Sequence, residues 1–204
     1  MSRSFSIFFD IDRTIFDTQQ FVELIEKMLS KSIGVNLEKY QQAGEAYLTT
    51  LQSSVEFHPL AYADHISQYF NFPREKIIFE LLENETTFQQ AIFPETTQVL
   101  AELGQKYLLG VFSEGVIDFQ LAKITKSGLI KYFNPALIFL FDSKQAPAAI
   151  AQLPEDCVVI DDKLQVVEML LQHQRRAIWI NRHSSKKHAQ FETIFRLDEL
   201  EKFL

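Results

Sequence analysis

The sequence predicts an α/β fold in which a doubly wound parallel sheet of about five strands carries an all-helical insertion. Two observations predict it. Short apolar runs alternate with helical patterns in the C-terminal half, and the stretch 17–92 has helical periodicity without any strand-like run. The short runs are apolar throughout, which is typical of parallel strands covered on both faces. This alternation is typical of Rossmann-like sheets.

The predicted strands and helices follow one another in the order that a doubly wound sheet requires. Strands are expected at 6–9, 107–112, 137–141, 157–160 and 177–180. Helices are expected at 95–105, 116–127, 146–152 and 163–174. We therefore predict an α/β core made of 1–16 and 93–204, with 17–92 inserted after the first strand.

The insertion is predicted to contain three or four helices. Apolar residues recur at helical spacing from Phe21 to Leu29. Asn36 is a suitable N-cap for a second helix, Pro59 suits the first turn of another, and Pro73 suits the start of a further one. These signals predict a helical unit that lies over one edge of the sheet.

Composition limits the classes of function. With 20 Lys and Arg against 27 Asp and Glu, the net charge is -7, which disfavours nucleic acid and membrane surfaces as partners. One cysteine, Cys157, excludes an intrachain disulfide, and Asp10 interrupts the first apolar run well short of a signal segment. We expect a cytoplasmic protein, either a monomer or a homodimer, and we interpret the basic stretch 182–188 as a solvated loop.

Polar side chains follow the predicted strands at their carboxyl ends, which meet at one edge of a parallel sheet. They are Asp10, Asp12, Thr14, Ser113, Asp142, Ser143, Lys144, Asp161 and Asp162. So many carboxylates in one crevice repel one another unless a cation lies between them. Carboxylate oxygens suit a hard divalent cation, so the sequence predicts a Mg²⁺ site.

The order of these residues resembles the four motifs of the haloacid dehalogenase (HAD) superfamily. Motif I, Asp-x-Asp-x-Thr, is matched by residues 10–14, and the Ser or Thr of motif II is matched by Ser113. The lysine of motif III is matched by Lys144 ahead of Pro147, and the acidic pair of motif IV by Asp161 and Asp162. The resemblance covers the whole chain and implies a phosphatase with a helical, C1-type cap.

The resemblance implies a role for each catalytic residue. Asp10 would attack phosphorus and form an aspartyl-phosphate. Asp12 would protonate the leaving oxygen and then activate water. Ser113 and Lys144 would bind phosphoryl oxygens, with Lys163 as the rival candidate for the lysine. Dehalogenating relatives carry a non-acidic residue at the position of Asp12, so its presence favours phosphate chemistry.

The resemblance also implies the metal ligands and the substrate contacts. The metal would be held by the carboxylate of Asp10, the backbone carbonyl of Asp12 and the carboxylate of Asp162, with Asp161 as a second ligand or an outer partner. The residues expected to line the substrate site are Arg13, Thr14, Ser113, Glu114 and Gly115. Position 13 is usually glycine in such sequences, and Glu114 adds a negative charge beside a site meant for an anion.

The resulting hypothesis is a Mg²⁺-dependent phosphomonoester hydrolase that acts on a small phosphorylated metabolite. Two alternatives remain open. One is a phosphoryl transferase or mutase of the same family, and the other is a non-catalytic protein that binds Mg²⁺ or a phosphorylated ligand. The structural explanations also stay open: the motif I carboxylates could solvate a turn, and Asp161 and Asp162 could cap a helix.

Overall fold

A six-stranded sheet with the order β3-β2-β1-β4-β5-β6 forms the centre of the protein. The computed structural model describes residues 5–52 and 56–204. The strands are β1 (Ser6–Phe9), β2 (Leu108–Glu114), β3 (Ile138–Phe141), β4 (Cys157–Asp161), β5 (Arg176–Ile180) and β6 (Thr193–Ile194). Every strand pair is parallel. The predicted fold class is confirmed.

The sheet differs from the prediction at the ends of β2 and β4 and in its number of strands. Strand β2 continues to Glu114 and β4 to Asp161, so Ser113, Glu114 and Asp161 lie within strand ends and do not follow them. The sixth strand, β6, was not predicted because two residues are too few to show any periodicity. Residues 1–4 of the predicted core and 53–55 of the predicted insertion lie outside the described residues.

Strand β1 shows why the apolar runs form a sheet that is covered on both faces. Ile7 and Phe9 belong to one hydrophobic cluster and Phe8, which points the other way, belongs to a second. All three side chains are fully buried. Because β1 pairs with β2 on one side and β4 on the other, the end of β1 lies in the middle of the carboxyl edge.

The segment 17–92, which lies between β1 and the helix that precedes β2, is mostly helical in its described residues. Its helices are α1 (Thr18–Ile33), α2 (Leu37–Leu48), α3 (Pro59–Phe70), α4 (Arg74–Ile78) and α5 (Glu85–Gln90), with a π-helix at Phe79–Glu83. We expected three or four helices, whereas the described residues of 17–92 form five α-helices. The Asn36 cap is confirmed, since its side chain accepts from the Lys39 N–H at 2.8 Å, and Pro59 opens α3 as predicted.

Four α-helices connect or cover the later strands. They are α6 (Thr96–Lys106), α7 (Ile117–Lys126), α8 (Pro147–Ile150) and α9 (Leu164–Gln172), and short 3₁₀ segments lie at Leu129–Tyr132, Pro135–Leu137 and Leu197–Phe203. Helix α7 begins directly after the end of β2, which puts its first turns beside the carboxyl edge. No helix within 5–52 or 56–204 is long and apolar enough to cross a bilayer.

Candidate active site

Asp10 lies immediately after β1 at the centre of the carboxyl edge. Its backbone N–H donates to the Ile160 carbonyl at 2.9 Å, which continues the pairing with β4. Its Oδ1 atom accepts from Ser113 Oγ at 2.9 Å and from Lys144 Nζ at 2.6 Å. Its Oδ2 atom accepts no hydrogen bond from any described residue. One carboxylate oxygen is therefore fixed while the other is available for chemistry.

Lys144 lies at the centre of a buried charge cluster. Its ammonium contacts Asp10 Oδ1 and Asp161 Oδ2, each at 2.6 Å, and its side chain is 1% exposed. Burial alone would lower the pKa of Lys144, but the two carboxylates outweigh it and raise that pKa. The lysine is therefore held as a cation beside Asp10.

Three carboxylates meet at the carboxyl edge. Asp10, Asp161 and Asp162 each offer one oxygen, and these atoms lie within 4.8 Å of one another. Both oxygens of Asp161 already accept hydrogen bonds, from Lys144 Nζ and from the Lys163 N–H. Asp162 Oδ1 is buried without a hydrogen-bond partner among the described residues. A buried, unpartnered carboxylate oxygen in an all-oxygen cluster fits a hard divalent cation.

Burial also changes the acidity of this cluster. It raises the pKa of Asp10 to about 6, where Lys144 opposes the shift and Asp161 and Asp12 add to it. It raises the pKa of Asp162 to about 7, with Asp10 and Asp161 adding to the shift and Lys163 and Lys144 opposing it. A divalent cation bound between the carboxylates would remove this repulsion.

Asp12 has a separate set of partners. Lys123 Nζ contacts Asp12 Oδ1 at 2.6 Å and Oδ2 at 2.7 Å. Thr18 Oγ1 donates to Oδ1 at 2.6 Å, and Gln120 Nε2 donates to Oδ2 at 2.8 Å. Burial alone would raise the pKa of Asp12, but Lys123 and the hydrogen bonds outweigh it and lower that pKa to about 2. The structure thus holds Asp12 as an anion.

Two residues that contact Asp12, Gln120 and Lys123, were not predicted from the sequence, and both lie on α7. A signal was present, because Lys123 follows Phe119 by four residues and so shares its helical face. Phe119, Gln120, Lys123 and Ile124 are all buried in the structure. A lysine on an apolar helical face indicates a buried partner, but the sequence does not show which carboxylate provides it.

Glu114 and Gly115 lie where β2 leads to α7. Glu114 Oε2 accepts from the Lys144 N–H at 2.9 Å, and Oε1 accepts from Lys163 Nζ at 2.7 Å. Burial opposes ionisation of Glu114, but Lys163 and Lys144 lower its pKa. Lys163, the predicted rival of Lys144, therefore pairs with Glu114. Gly115 has φ +133°, and a Cβ there would lie 2.9 Å from Gln120 Nε2, so only glycine fits.

The turn after motif I contains Arg13 and Thr14. Arg13 is exposed and has φ +57°, a left-handed conformation that costs free energy for a residue with a Cβ. The Thr14 hydroxyl is buried without a hydrogen-bond partner among the described residues. Asp142 and Ser143 are exposed, and Asp142 contributes no oxygen to the three-carboxylate cluster.

Arg182 supports the same turn from the loop after β5. Its Nη2 donates to the Thr14 carbonyl at 2.6 Å, and its Nη1 donates to Glu95 at 2.8 Å. Its guanidinium lies 3.6 Å from the centre of the Phe93 ring. The interpretation of 182–188 as a solvated loop was wrong for Arg182, whose side chain is 8% exposed.

Comparison with known proteins adds one curated relative. The chain is 31% identical over 138 residues to the glyceraldehyde 3-phosphate phosphatase of Methanothermobacter thermautotrophicus strain Delta H. The match covers 63% of this chain and 60% of the relative, so the chain spans less than two thirds of the relative's length. No family model matches the chain.

Solved structures of low sequence identity share the whole fold. A protein described as a haloacid dehalogenase-like hydrolase from Burkholderia xenovorans LB400 has a TM-score of 0.73 at 17% identity, covering 98% of this chain and 96% of that one. The HAD phosphatase from Thermococcus onnurineus has a TM-score of 0.67 at 20% identity, covering 97% and 96%. The HAD-hydrolase YfnB from Bacillus subtilis has a TM-score of 0.68 at 18% identity, covering 100% and 99%. The chain therefore shares the fold of haloacid dehalogenase-like hydrolases, in agreement with the resemblance carried by its four motifs.

Proposed function

We propose that this protein is a Mg²⁺-dependent phosphomonoester hydrolase that acts on a small phosphorylated metabolite through an aspartyl-phosphate at Asp10. The arrangement around Asp10 carries the proposal. Ser113 and Lys144 hold Oδ1, while Oδ2 accepts no hydrogen bond from a described residue. A carboxylate fixed through one oxygen leaves the other ready for in-line attack. The phosphatase named among the relatives supports the same chemistry.

In the first step, Asp10 Oδ2 attacks phosphorus while the bond to the leaving oxygen breaks. The Lys144 ammonium, buried beside Asp10, offsets negative charge on the transferring group, and the Ser113 hydroxyl is close enough to the same oxygen to turn toward the phosphoryl group. In the second step, water attacks phosphorus as the bond to Asp10 breaks. Asp12 takes a proton from that water and gives one to the leaving oxygen of the next ester.

The proposed metal ligands are the carboxylates of Asp10 and Asp162 and the backbone carbonyl of Asp12, with Asp161 as an outer partner. Asp162 is the better choice for the direct carboxylate ligand because its Oδ1 is unpartnered, whereas Asp161 uses both oxygens on lysine donors. When bound, Mg²⁺ would neutralise charge on the phosphoryl oxygens and on Asp10.

We further propose that 17–92 is a cap and that 1–16 with 93–204 is the catalytic core. Two contacts support these boundaries, at the point where the chain leaves the proposed core and returns to it. Phe16 and Ile92 form an antiparallel bridge, and the Asp17 N–H donates to the Ala91 carbonyl at 2.7 Å. A cap that covers the carboxyl edge would exclude water and restrict the site to small esters. We propose a cytoplasmic location, where the single buried thiol of Cys157 stays reduced.

The proposal is tested with a panel of small phosphorylated metabolites and an aryl phosphate, assayed for phosphate release with chelator and then with added Mg²⁺. We expect turnover that disappears with chelator and returns with Mg²⁺. Asp142→Asn should show the same dependence as the parent protein, because Asp142 follows the edge strand β3, is exposed and contributes no oxygen to the three-carboxylate cluster. Full turnover in chelator would refute metal dependence. Consumption of the ester with formation of a sugar phosphate from an added sugar, and without release of inorganic phosphate, would identify a transferase.

A further inference from the structure

Two lysines are buried in the described structure, and each contacts a different motif I aspartate. Lys144 contacts Asp10 and Lys123 contacts Asp12. Lys123 is the less expected of the two because it lies on the face of α7 and not after a strand. Its side chain is 5% exposed, and its ammonium lies 4.5 Å from the centre of the Phe119 ring. Asp12 is its only carboxylate partner among the described residues.

A buried ion pair usually contributes little net stability to a folded protein. Removing two charges from water costs about as much free energy as their attraction returns, and an apolar residue of similar size often stabilises a protein equally well. Phe16 and Phe119 already surround the lysine, so a methionine or leucine at position 123 would have apolar neighbours. The pair is better explained by what it does to the Asp12 carboxylate.

The contacts restrict the carboxylate to one orientation. Lys123 reaches both oxygens, Gln120 fixes Oδ2, and Thr18 fixes Oδ1. Gln120 is itself fixed, because its amide also donates to the Glu114 carbonyl at 2.6 Å. The Asp12 side chain nevertheless keeps 28% of its surface exposed, so water still reaches it. An oriented carboxylate that water can reach is suited to receive a proton from that water.

We propose that Lys123 and Gln120 are positioning residues for the second half-reaction, in which they hold the Asp12 carboxylate toward the water that hydrolyses phosphorylated Asp10. In that step the water oxygen bonds to phosphorus and the Asp10 oxygen leaves with its electron pair. The proton of the water goes to Asp12, and inorganic phosphate departs. The inference rests on the proposed function, since it requires a phosphorylated Asp10.

The test is Lys123→Met, assayed on an aryl phosphate. An aryl ester needs little acid assistance to leave, so phosphorylation of Asp10 should proceed. We expect kcat to fall about 100-fold, the effect of a misplaced catalytic group. KM should fall in parallel, so that kcat/KM changes by only a few fold. Rapid mixing should release a burst of the phenol that approaches one equivalent per protein. Acid quench during the reaction should then show added phosphate mass on Asp10. Lys123→Arg should recover part of kcat.

Lys126→Met is the matched control, because it makes the same change one turn along α7 in a lysine that pairs with Glu83. It should behave as the parent protein. If Lys123→Met does not fold, Gln120→Met should give the same burst with a smaller loss of kcat. Equal losses of kcat and kcat/KM without a burst would show a merely structural role and overturn the inference. A parent protein that never labels Asp10 would refute the proposed function instead.

Discussion

The two motif I aspartates differ in their surroundings although one residue separates them. Asp10 is held by groups at strand ends, Ser113 and Lys144, and shares its lysine with Asp161. Asp12 is held from the side by α7 through Lys123. Burial raises the pKa of Asp10 to about 6, whereas the lysine lowers that of Asp12 to about 2. The comparison shows that the helix after motif II contributes as directly to the site as the strands do.

The largest loss of turnover is expected on substitution of the two motif I carboxylates, and the size of the loss should differ between them. Asp10→Asn removes the nucleophile and should reduce turnover to background for every ester. Asp12→Asn should lose about 10²–10⁴-fold, and more on alkyl than on aryl phosphates, because a poor leaving group needs a proton. Steady-state assays on paired alkyl and aryl esters check this. Appreciable turnover by Asp10→Asn, or phosphate found on Asp12, would reverse the assignment.

The two buried lysines should differ in their effect on stability. Lys144→Met leaves Asp10 and Asp161 without their shared cation and should cost about 3–5 kcal/mol of unfolding free energy. Lys123→Met should cost less, because Asp12 keeps the Thr18 and Gln120 donors and contact with water. Urea unfolding at pH 8 in chelator measures both. Equal costs would mean that the two sides of the site are not distinct.

The raised pKa of Asp162 predicts a pH-dependent stability in the absence of metal. The pKa of the Asp162 carboxyl rises from 3.8 to about 7 on folding. Below pH 3.8 the group is protonated in both states and does not affect stability. Between pH 3.8 and about 7 it ionises more readily in the unfolded state, so it destabilises the folded protein increasingly as pH rises. The metal-free protein should therefore lose melting temperature as pH rises through this interval, and Asp162→Asn should lose less. Below pH 3.8 the two proteins should differ little.

Saturating Mg²⁺ should raise the melting temperature of the parent protein at pH 8 more than at pH 5, since the ligands must be ionised to bind it. Asp162→Asn should show little of this gain, whereas Asp142→Asn should keep it. A gain in Asp162→Asn as large as that of the parent would mean that Asp161 is the direct ligand.

The smallest effect is expected for substitution of Glu114, whose carboxylate accepts hydrogen bonds from the Lys144 N–H and from the Lys163 ammonium. Glu114→Gln keeps an oxygen for the Lys144 N–H and loses only the charge opposite Lys163, whose side chain is 37% exposed. We expect at most about 1 kcal/mol of lost stability. Glu114→Ala also removes the acceptor, so kcat/KM should fall further. Equal effects would show that the charge matters more than the hydrogen bond.

Much of the fold was predictable because its signals are local. The apolar runs of the parallel sheet and the polar residues at their ends can be read directly from the sequence. The partners of Asp12 and Thr14 were not predictable, because Lys123 and Arg182 come from a helix face and from a distant loop. Their charges are ordinary in sequence, and only packing decides which carboxylate or carbonyl each one contacts.

The central position of β1 also sets the order in which the site can form during synthesis. Ser6 of β1 pairs with Leu108 on one side and with Cys157 on the other. A nascent chain that ends before Cys157 would therefore present β1 as an open edge, which is a hazard for wrong pairing. Asp10 is therefore translated well before its strand can acquire its second neighbour, because Cys157 follows Ser6 by about 150 residues.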